Sequence, residues 1–126
     1  MSNFYQDVKE FQTAVGQYVG TEPRFANKSE RVLRMDLLME EVREYLEGEE
    51  NEDIENVAKE LADIIYIVCG TAVSYGIPLD KVFEAVHRSN MAKLGPDGKP
   101  RRREDGKILK PEGWTPPDIK SILWNK

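Results

Sequence analysis

Phe4, Val8, Phe11, Val15 and Tyr18 recur at three- and four-residue steps, the interval that keeps side chains on one face of a helix. Gly20 and Pro23 close that stretch. A second helix is predicted to start near Ser29, a good N-cap, and to carry Val32, Met35, Leu38, Met39, Val42 and Leu46 before stopping at Gly48. A polar link, Glu49 to Glu52, leads to a third helix from about Asp53, carrying Ile54, Val57, Ala58, Leu61, Ile64, Ile65, Val68 and Ala72 and ending at Tyr75-Gly76. Pro78 sits where a fourth helix opens; Val82, Phe83, Val86 and Met91 form its stripe, and Leu94-Gly95 its end. Residues 95–117 hold four glycines and five prolines, which rules out continuous helix. Asp97-Gly98 and Asp105-Gly106 predict turns or hairpins, and Lys107-Ile108-Leu109 a short strand. Ile119, Ile122, Leu123 and Trp124 are suited to dock a last helical turn. No internal repeat is visible. The expected fold is all-α: one domain over residues 1–126, with a four-helix bundle core at about 3–94 and a tail at 95–126.

The third helix departs from a one-sided stripe. From Ile64 to Leu79, 16 consecutive residues carry no charge and cover every side of the helical wheel, the pattern of a helix buried all round. Four helices in a chain of this size do not enclose one another fully. A second copy is therefore expected to pack here, giving a homodimer or a homotetramer.

Length and composition narrow the class. A chain of 126 residues, 40% hydrophobic and 33% charged, with a net charge of −5, suits a single globular domain. The longest apolar run, Leu61 to Val73, spans 13 residues and is interrupted by Asp63, short of the roughly 20 that a membrane helix needs. The N-terminal residues show neither the basic nor the apolar region of a secretory signal. A cytoplasmic protein with no membrane partner is expected. The one cysteine, Cys69, has no internal disulfide partner and reads as packing.

Between Asp36 and Asp63 stand twelve acids against two bases, Arg43 and Lys59. Glu47 to Glu55 read as a solvated turn region. Glu40, Glu41, Glu44, Glu60 and Asp63 differ, because they border apolar surface. Glu41 and Glu44 are three apart and share a helix face, as do Glu60 and Asp63. If the second and third helices form an antiparallel hairpin, Glu41 and Glu60 each lie about seven residues, roughly 10 Å, from the turn and so at one level. Carboxylates converging there repel one another unless a cation joins them. An all-oxygen donor set favours Mg²⁺, with Mn²⁺ as the other candidate, over Zn²⁺.

The sign of the charge then reverses. Lys93 to Lys110 contains seven bases and three acids, which suits a polyphosphate whose oxygens meet both metal and cations. Lys93 lies three residues after Asn90 on the fourth helix, so both can face one pocket. His87, the only histidine, reads as a structural residue.

Glu40-Glu41-Val42-Arg43-Glu44, fifteen intervening residues, then Glu60-Leu61-Ala62-Asp63 resembles the EExxE…ExxD signature of the all-α nucleoside triphosphate pyrophosphohydrolases, the MazG-like, dimeric dUTPase and phosphoribosyl-ATP pyrophosphohydrolase group. The segments from His87 to Gly95, Asp97 to Pro100 and Glu104 to Lys107 resemble its phosphoribosyl-ATP pyrophosphohydrolase-like subgroup. The resemblance implies an oligomeric, Mg²⁺-dependent, four-helix enzyme that cleaves a nucleotide between the α and β phosphates. It implies Glu41, Glu44, Glu60 and Asp63 as metal ligands and Glu40 as the residue beside the metals that orients or deprotonates water. Asn90 and Lys93 match substrate-side positions, and Arg101 of the basic tail is a further candidate contact. Hydrolysis of phosphoribosyl-ATP or of dUTP is the neighbouring alternative. A helical oligomer that binds a protein or nucleic acid without catalysis is the alternative of another class, and no nucleic-acid partner is expected of the enzyme.

Overall fold

The computed structural model describes residues 3–124; the outermost residues of the expected 1–126 domain, 1–2 and 125–126, lie outside the described residues. The described chain is all-helical: α1 (Phe4–Ala14), α2 (Lys28–Glu50), α3 (Ile54–Tyr75), α4 (Leu79–Met91) and α5 (Ile119–Trp124). It divides into two compact units, Met1–Leu79 and Asp80–Lys126. Among the described residues no single helix is long and apolar enough to cross a membrane.

In the first unit α3 is the central rod, packed by α1 and by α2. Its start follows from Asp53, whose side chain accepts a hydrogen bond from Asn56 N at 3.2 Å. Its end follows from Gly76, which adopts φ 68° while the Ile77 N–H returns to Ala72 O at 2.9 Å. The chain between α1 and α2 lies across the same end: Gly20 N donates to Val73 O and Arg24 N to Tyr75 O, both at 2.9 Å. Terminal carbonyls that a helix leaves unpaired are thereby satisfied. The core is small. Val8, Cys69 and Val73 are buried together, with Tyr5, Val19 and Leu79 against them.

Four boundaries differ from the sequence expectation. The first helix stops at Ala14 instead of running to Tyr18, because the chain turns at Val15 and Gly16 to make the crossing over α3. The second helix starts earlier. Asn27 is its cap, its side chain accepting from Glu30 N at 2.9 Å, and Ser29 lies inside the first turn, bonded to Asn27. It also runs through Gly48 to Glu50. Gly48 is a contact and not a stop: a Cβ there would stand 2.8 Å from Asn56 Nδ2 and 3.1 Å from Val57 Cγ2, so glycine allows α2 to approach α3 at the base of the hairpin. The fourth helix ends at Met91, before Leu94-Gly95.

The second unit contains the rest of α4 and the tail. Trp114 Nε1 donates to Ser89 O at 2.8 Å, which ties residue 114 to α4, and Lys93 and Lys110 stand 5.5 and 4.9 Å from its ring centroid. Two small hairpins succeed each other. In the first, Gly95 N bonds Lys99 O, Gly98 N bonds Gly95 O, and Lys99 N bonds Asp97 Oδ1; in the second, Arg103, Gly106, Lys107 and Asp105 repeat the pattern eight residues on. Gly98 and Gly106 take φ 76° and 88°, the left-handed position of a three-residue hairpin loop. The tail thus contains a structural repeat that the sequence reading did not find. The expected strand at residues 107–109 is reduced to an isolated bridge, Arg102 to Ile108, matching Leu94 to Pro100. The expected last helical turn is α5, begun by Asp118, which accepts from Ser121 N at 3.1 Å.

Candidate metal centre

The α2–α3 hairpin turns through Asn51, Glu52 and Asp53, with Glu52 in the left-handed region at φ 49°. Glu41 lies ten residues before Asn51 and Glu60 seven after Asp53, so the expected equal spacing about the turn is not kept, because α2 continues through Gly48 to Glu50. The two residues nevertheless come together across the hairpin. One carboxylate oxygen each from Glu41, Glu60 and Asp63 lie within 4.8 Å of one another. Glu60 is only 3% exposed, and Asp63, one turn on, is half-buried. Glu44 joins the group from α2: the charge of Glu60 raises its pKa first, then burial, then a hydrogen bond with Glu60.

This arrangement leaves an electrostatic debt. Glu41 Oε2 and Glu60 Oε2 are buried with no hydrogen-bond partner among the described residues. Glu41 is pushed up to about 7, mainly by sharing a hydrogen with Glu60, then by burial and by the charges of Glu44, Glu60 and Asp63. Glu60 is held below the usual carboxylate range, first by Glu41 and then by Lys59. Lys59 supplies the nearest positive charge, 2.7 Å from Asp63 Oδ2 and 3.4 Å from Glu60 Oε1. Those two contacts raise its pKa.

Three carboxylates converging at this separation, with one buried oxygen each of Glu41 and Glu60 lacking a donor, fit a hard divalent cation. Glu41, Glu60 and Asp63 form the inner group, and Glu44 stands beside it. Glu40 is exposed, outside the inner group; its charge contributes to the raised pKa of Glu44. The other substrate candidates belong to the second unit. There Lys93 Nζ donates to Asn90 Oδ1 at 3.0 Å, so the two side chains do meet. Arg101 is exposed at the start of the second hairpin, its carbonyl accepting from Leu109 N.

Two features were missed in the sequence. Lys59 stands in the sequence as one of two bases among acids, and its four-residue step to Asp63 is the signal of the ion pair. Arg34, on α2, has a largely buried side chain and reaches Gln12 of α1; a lone arginine within an apolar stripe gives no periodic signal.

The family model described as phosphoribosyl-ATP pyrophosphohydrolase matches residues 8–90, a span that holds the whole α2–α3 hairpin and nearly all of α4. No curated protein matches the chain.

Proposed function

The chain belongs to the phosphoribosyl-ATP pyrophosphohydrolase family and is a hydrolase of nucleotide phosphoanhydride bonds; on that premise we propose that it is Mg²⁺-dependent and cleaves between the α and β phosphates, releasing a monophosphate and pyrophosphate. The observation that carries this reading is the convergence of Glu41, Glu60 and Asp63, with one buried oxygen each of Glu41 and Glu60 lacking a donor. Family membership favours phosphoribosyl-ATP as the substrate over dUTP, and favours an enzyme over a passive binding module.

In this reading Glu41, Glu44, Glu60 and Asp63 hold the metal. When bound, Mg²⁺ supplies charge neutralisation and polarisation of the phosphates. The chain's own groups do the remainder. Glu40, exposed beside the cluster, orients water and accepts its proton. Lys59 withdraws from Asp63 when another cation takes its place. Asn90, Lys93 and Arg101 contact the substrate, the two cations meeting phosphate oxygens. A second copy of the chain covers the apolar surface of α3, where Leu61, Ile65, Tyr66 and Val68 are 40–47% exposed, so the working form is a homodimer or homotetramer. Sedimentation of the purified protein should give a dimer or tetramer mass; a monomer at micromolar concentration contradicts that part of the reading.

The experiment is a nucleotide panel with Mg²⁺ and identification of both products. Equal amounts of monophosphate and pyrophosphate are expected. Release of orthophosphate, or no turnover of any member including phosphoribosyl-ATP, overturns it.

A further inference from the structure

A second set of buried polar groups lies between α1, α2 and α3, and the proposed hydrolysis makes no use of it. Gln12 is 3% exposed; its Nε2 donates to Ser74 Oγ at 3.2 Å and Tyr18 O at 3.3 Å, and its Oε1 accepts from Arg34 Nη2 at 3.3 Å. The guanidinium reaches this place because residue 70 is glycine. A Cβ there would stand 2.4 Å from Arg34 Nη2 and 2.9 Å from Gln12 Oε1, so the notch on α3 accommodates the guanidinium.

Arg34 is nevertheless poorly paired. Its Nε is buried with no hydrogen-bond partner among the described residues. Glu30 stands at 4.0 Å, with its own side chain 39% exposed against 12% for Arg34. A guanidinium held out of water at that distance from its counter-charge is under-compensated. It also lines a cavity of about 470 Å³, together with Arg24, Glu30, Tyr18, Phe25 and Leu37. Two arginines and one glutamate line it, beside aromatic and aliphatic side chains. The volume is that of a small-molecule site, larger than a bare inorganic anion requires.

We propose that this cavity is a subsite for an organic phosphate, in which Arg34 and Arg24 hold the phosphate group and Tyr18, Phe25 and Leu37 hold the organic body attached to it. Arg34 Nη2 is taken by Gln12 Oε1 and its Nε is closed to solvent, so Arg34 brings its charge to the cavity rather than a full bidentate fork, and Arg24 beside it completes a pair suited to a dianion. Arg34 and Glu41 are seven residues apart on α2, two turns along one face, or about 10 Å. The subsite therefore serves either the far end of a substrate phosphorylated at both ends, which rests on the hydrolysis proposed above, or a separate sugar or nucleotide monophosphate.

The test uses the full chain in EDTA, with ribose 5-phosphate as probe and ribose as control, read by calorimetry. Saturable binding of ribose 5-phosphate and none of ribose is expected. Arg34→Lys, which keeps the charge but loses the guanidinium held in place by Gln12, should weaken binding about tenfold. Arg24→Gln, at an exposed position, should weaken it without disturbing the core. Absence of binding at millimolar probe, or equal binding by wild type and both variants, overturns the proposal. Since no metal is present, that failure is separate from failure of the hydrolytic reading. Kinetics with phosphoribosyl-ATP then separate the sources. Competitive inhibition by ribose 5-phosphate assigns the subsite to the substrate's far end and non-competitive inhibition to a separate ligand, and either supports the subsite.

Discussion

Lys59 Nζ lies 2.7 Å from Asp63 Oδ2, one turn along the same helix, and only 3.4 Å from Glu60 Oε1. The lysine occupies, with its own charge, the side of the carboxylate cluster that a cation needs. Lys59 is well exposed, so water screens much of the pair. Replacing it by methionine removes a competitor and a repelling charge together. Lys59→Met should bind Mn²⁺ a few-fold more tightly than wild type in a calorimetric titration. Weaker binding contradicts the role of Lys59 as an internal stand-in.

Removal of a ligand should cost more than removal of a neighbour. Asp63→Asn and Glu60→Gln keep size and most packing while deleting a charge. Turnover should fall by more than the roughly 10–100-fold typical of losing an outer-shell partner, with the helical circular dichroism of wild type retained. Undiminished hydrolysis by the folded Asp63→Asn protein at saturating Mg²⁺ removes the metal role from this cluster.

The raised pKa of Glu41 makes the metal-free chain sensitive to pH. Its ordinary value is 4.5, and in the folded chain it is pushed up to about 7, mainly by the hydrogen bond with Glu60. Between those values the folded state binds more protons than the unfolded state, so stability falls as pH rises from about 4.5 to 7 and levels off above. In EDTA the melting temperature should be higher at pH 5.5 than at pH 8. Added Mg²⁺ should restore most of the loss at pH 8, and Glu41→Gln should flatten the profile in EDTA. A melting temperature in EDTA that rises over this range in wild type but not in Glu41→Gln contradicts the assignment.

Two glycines of similar backbone conformation should respond differently to alanine. Gly76 has φ 68°, and a Cβ there would stand 2.3 Å from the Glu22 carbonyl oxygen; Gly98 has φ 76° with nothing within 4 Å. Gly98→Ala should cost about 1 kcal/mol of conformational strain. Gly76→Ala adds a backbone collision where the crossing loop seals α3, and should cost about 2–4 kcal/mol in all. Denaturant unfolding of the two variants gives the comparison, and equal costs contradict the close approach of the loop.

Much of the first unit was legible because its signals are periodic or local. Asp53 and Gly76 mark the two ends of α3 by side-chain capping and by handedness, and the three-residue steps from Glu41 to Glu44 and from Glu60 to Asp63 mark the acidic faces on either side of the turn. The crossing loop was not legible. Val15 and Tyr18 continue the apolar period of α1, and only the hydrogen bonds from Gly20 and Arg24 to the end of α3 show why the chain leaves the helix at Ala14. Gly48 reads as a helix breaker by propensity, yet its missing side chain serves a contact with Asn56 and Val57 that lies outside any local window. The Gln12–Arg34–Gly70 arrangement joins three helices across long separations, so no spacing rule reaches it. In the tail, Asp97-Gly98 and Asp105-Gly106 signalled turns correctly, but the surrounding residues differ enough to hide that one loop is used twice.

The central claim is that the inward-facing carboxylates of α2 and α3 serve the cleavage of a nucleotide into monophosphate and pyrophosphate. Its most direct measurement incubates wild type and Asp63→Asn with phosphoribosyl-ATP and Mg²⁺ and quantifies pyrophosphate and orthophosphate together. Pyrophosphate from wild type alone, equimolar with the nucleotide consumed, is the predicted result. Orthophosphate as the product, or equal rates from the two proteins, would contradict it.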